Sequence, residues 1–446
     1  MYNDDQIRRR AMNKTLLRSA VGAAVVSLLM VGTLQTVSGA KGAPNPVTDF
    51  GPQPILQGNG PWQIDNNTVT VNKACADSTD GASCAALVVG KDKIKGQSPF
   101  GNDGSSPATV FGIGNNPGAY SPSQIIGAYN FPTATTSGIL PGTGKVIAIV
   151  DSYDNPNVVA DLATFNSQFG VPQLASCTIT STSGPCFQKV SESGGTSFPA
   201  FDPGWAEEIS LDVEWAHAIA PGASILLVEA TTNGYSDLSK SVVYAAGKAS
   251  YVSMSWTARE VSVEKTFDGA FANTKVSFFA ASGDTGIANL WPSASPKVIS
   301  VGGTSLALSS TGSVASETGW NSGGGGCSTY ETASTAQASY PTYAQVSCAG
   351  KRASPDVAAV ADPNTGVLVY NSNDYYGVSG WFTVGGTSVA TPIWAARAAI
   401  SGAVVNQTFI YGTSNGIAFN DITSGGNAAG CLVGYDMCSG LGSWNN

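Results

Sequence analysis

Three short stretches hold residues whose types and spacing suit bond-breaking chemistry. The first pairs Glu208 with Asp212 in a run that reads as helix from Pro203 to Ile219. Four residues are about 40° of rotation, so the two carboxyls stack on one face. Like charges so placed repel, and one of the pair should keep its proton above the ordinary carboxyl range, as acid/base work requires. A solvated acidic face is the plainer reading of the same spacing. Against it, the neighbours are apolar or small and no Lys or Arg lies nearby in sequence. The second stretch delivers Asp284 from the apolar run Ser277–Ala281 into a turn flanked by Gly283 and Gly286. A carboxyl there is either an ionised structural acid or a protonated hydrogen-bond donor. The third is Gly385-Gly386-Thr387-Ser388, ahead of a helical run over Ile393–Gly402. Ser388 either attacks a carbonyl beside helix N-terminal N–H groups or merely caps the helix.

A serine nucleophile needs a base, and the chain has one histidine, His217. A Ser-His-Asp arrangement would therefore have to use Asp151, His217 and Ser388. His217 lies about 180° around the helix from Glu208 and about 140° from Asp212, so it turns away when the carboxyls face a cleft. Ala216, Ala218 and Ile219 around it suit a packing histidine. The base is then a carboxyl.

The elements that must position these groups are legible as an alternation. Strand-like runs Lys145–Val150, Ser224–Glu229, Tyr251–Trp256, Lys275–Ala281 and Val298–Val301 alternate with helical runs after Pro156, over Pro203–Ile219, around Ser236–Gly247 and around Val263–Asn273. Near-continuous apolar strands between helices predict an α/β fold with a mainly parallel central sheet and helices on both faces. Ligands of such sheets gather beyond the carboxyl ends of the strands. Asp151 and Asp284 fall there.

Ahead of this region, residues 1–40 read as a signal peptide. Arg8, Arg9, Arg10, Lys14 and Arg18 precede an apolar run from Ala20 to Leu34 and the small residues Ser38-Gly39-Ala40. Residues 41–118, rich in Gly, Pro, Asn and Ser, read as an irregular extension with one strand-like patch at Thr68–Val71. All eight cysteines follow the signal, and nearest-neighbour disulfides are expected: Cys75–Cys84, Cys177–Cys186, Cys327–Cys348 and Cys431–Cys438. A secreted, soluble monomer is expected, with no membrane contact after signal cleavage.

The three motifs, in this order, resemble the signature of the sedolisin (serine-carboxyl) peptidases. The likeness runs from about Tyr120 to Gly442 and includes Ala148-Ile149-Val150-Asp151, Gly319-Trp320-Asn321 ahead of Gly323–Gly326, and Pro355-Asp356-Val357. It implies a subtilisin-like peptidase domain over 119–446 that cleaves proteins and peptides in acid. It implies Ser388 as nucleophile, Glu208 as base, Asp212 as the partner that tunes the base and Asp284 as a protonated oxyanion donor. It also implies one structural calcium held by Asp421, Asp436 and the carbonyls of Ile422, Leu432 and Gly434, with Leu432 standing where the family usually has glycine. Members usually carry a large folded prosegment, whereas here about 80 residues separate the signal from the catalytic region. A subtilisin-type enzyme using Asp151, His217 and Ser388 and a non-catalytic binding protein on the same fold are the alternatives.

Composition narrows the field further. Only 11% of the 446 residues are charged, against roughly 25% in an ordinary soluble domain, and the net charge is -9. No basic surface is available for nucleic acid. One histidine excludes a multi-histidine metal site. Scarce charge suits a protein working in acid, where carboxylates lose their charge and abundant Lys and Arg would repel one another.

Overall fold

The computed structural model describes residues 71–79, 81–89, 119–135, 138–180, 184–412 and 418–445, with the backbone alone at 62–63, 70 and 90. The expected signal peptide lies outside these residues. The alternation seen in the sequence becomes a nine-stranded sheet. Its order is Val314–Gly319, Ile299–Leu308, Ser277–Ala281, Tyr251–Met254, Val146–Ser152, Ser224–Ala230, Cys186–Ser191 and Ala175–Ser176, and Val357–Val360 also pairs with Ile299–Leu308. Every neighbour pair is parallel except Val314–Gly319 on Ile299–Leu308. The three strands that end nearest the candidate chemistry are neighbours in the middle of this sheet. Val146–Ser152 and Tyr251–Met254 are buried along almost their whole length, as strands covered on both faces are.

Two helices pack on this sheet and on each other, Pro203–Ile219 and Thr387–Ser401. The first begins at Asp202, whose side chain accepts the N–H groups of Gly204 and Trp205 at 3.0 and 2.9 Å. Pro203 fills the first helical position, where no N–H is needed. Gly204–Ile219 is buried throughout, so this helix has no wet face. The solvated-face reading of Glu208 and Asp212 is thereby removed: both are 0% exposed.

The serine helix begins earlier than the sequence pattern predicts, at Thr387 rather than Ile393, and Pro392 lies inside it. A proline there cannot donate to the carbonyl four residues back, which is that of Ser388. The Ser255 hydroxyl, which donates to Asp212 at 2.8 Å, lies 3.4 Å from that carbonyl. The run around Val263–Asn273 is likewise a 3-10 helix, Glu264–Phe271.

Part of the extension expected to be irregular is regular. Thr70–Lys73 and Leu87–Gly90 continue a five-stranded antiparallel sheet with Val378–Gly385 and Val367–Tyr375, and Ser83–Cys84 pairs with Trp256–Arg259. These partners lie far away along the chain, which is why local patterning shows only a Thr-Val patch. The four disulfides join nearest neighbours, and no described cysteine is free. Among the described residues no helix is long and apolar enough to cross a membrane.

Candidate active site

Strand ends and helix starts bring the three motifs together. The Ser388 hydroxyl donates to Glu208 Oε2 at 2.9 Å and also lies 3.1 Å from the carbonyl oxygen of Ser255. Behind Glu208, one helical turn on, Asp212 Oδ1 accepts the Ser255 hydroxyl at 2.8 Å. Ser255 follows the strand Tyr251–Met254, so it ties the sheet edge to both helices. Asp151, last but one in the neighbouring strand Val146–Ser152, is 0% exposed and has neither carboxyl oxygen hydrogen-bonded.

No described salt bridge reaches this group of acids. Burial pushes Glu208 well above the ordinary carboxyl range, the charges of Asp212 and Asp151 push it further, and the Ser388 hydrogen bond pulls it back. Burial likewise raises Asp212, with Asp151 adding to it, and lifts Asp151 to about 8. Three carboxyls sharing one dry pocket cannot all be ionised, so protons are held among them.

Asp284 is tied to Thr387, the residue before Ser388. Its Oδ1 accepts the Thr387 N–H at 2.8 Å and the Thr387 hydroxyl at 2.9 Å, while its Oδ2 is buried without a partner. With Oδ1 used as an acceptor, a proton belongs on Oδ2. Burial lifts the group to about 7, and the Thr387 hydrogen bonds limit the rise. The run Gly323–Gly326 packs under this turn: Gly324 N–H donates to Gly283 O at 2.6 Å, and a Cβ on Gly324 would lie 2.2 Å from Ser282 O. Only glycine fits so close.

His217 is elsewhere. Its Nε2 lies 2.7 Å from the carbonyl oxygen of Pro172, and burial lowers its pKa to about 4, so the ring is neutral. Ser388 makes its hydrogen bonds to Glu208 and Ser255, so the Asp151–His217–Ser388 triad is not assembled. Asp151 instead faces the Glu208–Asp212 pair electrostatically. Two participants escaped sequence reasoning. Ser255 had a usable signal, a small polar residue just beyond a buried parallel strand. Thr387 stood inside a motif noted only for its serine.

At the C-terminal end, Asp421 and Asp436 reach one turn. Asp421 Oδ2 accepts the Gly434 N–H at 2.8 Å; Asp436 Oδ2 accepts the Leu432 N–H at 2.7 Å, and its Oδ1 accepts those of Cys438 and Ser439. Ile422 is buried beside Asp421, while Leu432 is exposed. Two carboxylates converging on one loop are the hard oxygens calcium takes, and in that respect the residues fit it. Among the described residues no group of three or more His, Cys, Asp or Glu side chains is arranged for a metal, so most donors would be main-chain.

No family model matches the chain. Among curated proteins, it is 32% identical over 372 residues to kumamolisin of Bacillus sp. (strain MN-32), covering 73% of this chain and 62% of that protein. To sedolisin of Pseudomonas sp. (strain 101) it is 30% identical over 237 residues, covering 43% and 38%. To xanthomonalisin of Xanthomonas sp. (strain T-22) it is 28% identical over 393 residues, covering 69% and 44%. The chain thus spans less than two thirds of the length of each. Among solved structures it resembles Pseudomonas sedolisin, described as a serine-carboxyl proteinase complexed with two molecules of pseudo-iodotyrostatin. The TM-score is 0.59 at 25% identity, over 74% of this chain and 96% of that one.

Proposed function

We propose, from the premise that this chain belongs to the sedolisin family of serine-carboxyl peptidases and has their subtilisin-like fold, that it is a secreted endopeptidase active in acid. The observation that carries this reading is the 2.9 Å hydrogen bond from Ser388 to buried Glu208, with the only histidine engaged elsewhere. Ser388 attacks the peptide carbonyl carbon while Glu208 takes its proton. Asp212, anchored by Ser255, fixes the orientation of Glu208 and shares its proton load. The developing oxyanion lies between the Ser388 N–H, at a helix N-terminus, and the protonated Oδ2 of Asp284. Glu208 then returns the proton to the leaving amine, and water hydrolyses the acyl-enzyme.

A carboxylic acid donates only while protonated, so activity falls as pH rises through about 7, the value for Asp284. Calcium, held by Asp421, Asp436 and the carbonyls of Ile422, Leu432 and Gly434, would tie down the C-terminal loop and take no part in the chemistry. Digestion of a denatured protein across about pH 3 to 8 tests the reading, with Ser388→Ala beside the wild type. Cleavage greatest in acid and abolished by Ser388→Ala is expected. A maximum near pH 8, or undiminished cleavage by the variant, contradicts it. A wild type that cleaves nothing points to a binding protein on the same fold.

A further inference from the structure

The turn that carries Asp284 is clasped at both ends by one neighbouring run. Gly324 N–H donates to Gly283 O at 2.6 Å, Gly286 N–H donates to Ser322 O at 2.8 Å, and Gly325 N–H donates to Gly286 O at 3.3 Å. Residues 322–325 therefore fix the backbone before and after the acid, while Thr387 holds its Oδ1. The glycines of this run have no side chains with which to anchor it. The anchor comes from the C-terminal segment behind it.

Asn427, 5% exposed, makes that connection. Its Nδ2 donates to Gly323 O at 2.9 Å and to Met437 O at 3.0 Å, and its Oδ1 accepts the Ala429 N–H at 3.1 Å. Two carbonyls on one side and an N–H on the other fix the orientation of the amide and use both of its donors. A Cβ on Gly325 would lie 2.0 Å from the same Met437 O, so run and loop touch backbone to backbone here. One amide thus joins the support of Asp284 to Met437, inside the loop that Cys431–Cys438 closes. A second amide grips that loop without reaching the turn. Gln345 Nε2 donates to the carbonyls of Val433 and Tyr435, at 3.1 and 2.5 Å, and among the described residues has no hydrogen bond to 282–286 or 322–325. The two amides do the same chemistry on one loop and differ in what lies beyond it.

We propose that Asn427 is a positioning residue for the oxyanion acid: by holding residues 322–325 under the turn, its amide keeps Asp284 Oδ2 dry and in place. The proposal rests on the peptidase reading above. Asn427 hydrogen-bonds to neither Ser388 nor Asp284, so it acts only through the turn. Without its amide the Gly323 and Met437 carbonyls lose a shared donor, the run parts from the loop, and water reaches the turn. Water beside Asp284 relieves the burial that lifts it, so its pKa falls from about 7 toward the ordinary carboxyl range. The charged groups that face Asp284 are Glu208, on the helix Pro203–Ile219, and Lys73, on the strand Thr70–Lys73. Neither hydrogen-bonds to Asn427, so both act on Asp284 as before. Loss of Asn427 therefore costs rate and narrows the active pH range from its alkaline side.

The test measures kcat and KM for a peptide substrate from about pH 3 to 8 in full-length wild type, Asn427→Ala, Asn427→Asp and Gln345→Ala, each corrected for its folded fraction. Asn427→Ala is expected to lose about 10- to 100-fold in kcat with little change in KM, and its alkaline limb to move to lower pH. Asn427→Asp keeps the shape and, while protonated, one donor. It should recover part of that kcat at about pH 4 and lose it as pH rises. Gln345→Ala removes a like pair of bonds from the same loop and should keep the wild-type limb even where its melting temperature falls. An unmoved limb in Asn427→Ala, or an equal shift in Gln345→Ala, overturns the positioning role and leaves the peptidase reading standing. Failure of both Asn427 variants to fold makes the residue a structural one and overturns the role as well. A wild type that cleaves no peptide overturns the peptidase reading and this proposal with it.

Discussion

Two groups of buried carboxyls in this protein have the same burial and opposite fates. Asp356 is 0% exposed, yet its oxygens take both arms of Arg352 at 2.9 and 2.5 Å, the Tyr411 hydroxyl at 2.5 Å and the Ser300 N–H at 2.8 Å. Asp151, Glu208 and Asp212 are equally buried, but Asp151 has no donor, and Glu208 Oε1 and Asp212 Oδ2 have none either. The first group is solvated by the protein and serves the fold. The second lacks donors and faces its own like charges, so it holds protons and can move one. Burial alone does not decide what a carboxyl does; the supply of donors around it does.

Substitutions separate the two groups most sharply. Ser388→Ala should lower kcat by about 10⁴-fold or more with only a small fall in melting temperature, the loss being the one hydroxyl hydrogen bond to Glu208. Arg352→Met should do the reverse. It strands Asp356 as an unpaired buried charge and costs about 3–5 kcal/mol by denaturant titration, with kcat of the folded fraction unchanged. If Arg352→Met also removed activity from the folded fraction, the division between the two groups would be wrong.

Asp284 lies between these extremes, half satisfied by Thr387. Asp284→Ala should cost about 10²–10³-fold in kcat. Asp284→Asn keeps a donor while removing the group that titrates near 7, so it should retain more activity and lose that alkaline limb. Equal profiles for Asp284→Asn and wild type would remove Asp284 from the pH dependence.

The undersupplied carboxyls also set how the fold responds to pH. Asp151, Glu207, Glu229 and Glu264 are lifted to about 8 and Asp284 to about 7, chiefly by burial. The folded chain therefore binds more protons than the unfolded one between about pH 4 and 8. Their contribution to stability is complete below about pH 4 and is lost as pH rises through these folded values. His217, lowered to about 4, opposes this between about pH 4 and 6.5, one group against several. The melting temperature should fall from about pH 5 to pH 8; a rise over that span would contradict the balance. The smallest effect is expected at the C-terminal loop, where chelation should lower the melting temperature by a few degrees, as loss of a structural ion does. An unchanged melting temperature would count against calcium there.

Much of this was legible in the sequence because it rests on short-range geometry. The helix Pro203–Ile219 has its expected limits, set by Asp202, Pro203 and a Gly-containing turn after Ala220. The common face of Glu208 and Asp212 and the turned-away position of His217 follow from helical rotation alone. What escaped depends on contacts between distant segments. Pro392 reads locally as a helix stop, but the helix runs through it from Thr387, with the Ser255 hydroxyl 3.4 Å from the carbonyl it leaves free. Asp151 was legible as a strand-end acid, whereas its place beside Glu208 and Asp212 depends on how helix and sheet dock. Residues 70–90 look irregular because their strand partners lie near Val384 and Trp256.

The central claim is that a carboxyl rather than the histidine serves as base, and comparing Glu208→Gln with His217→Ala tests it most directly. In kcat/KM for a peptide substrate at about pH 4, Glu208→Gln should lose about 10³-fold or more, while His217→Ala should retain wild-type activity in its folded fraction. Activity that survives in Glu208→Gln and vanishes in folded His217→Ala would contradict it.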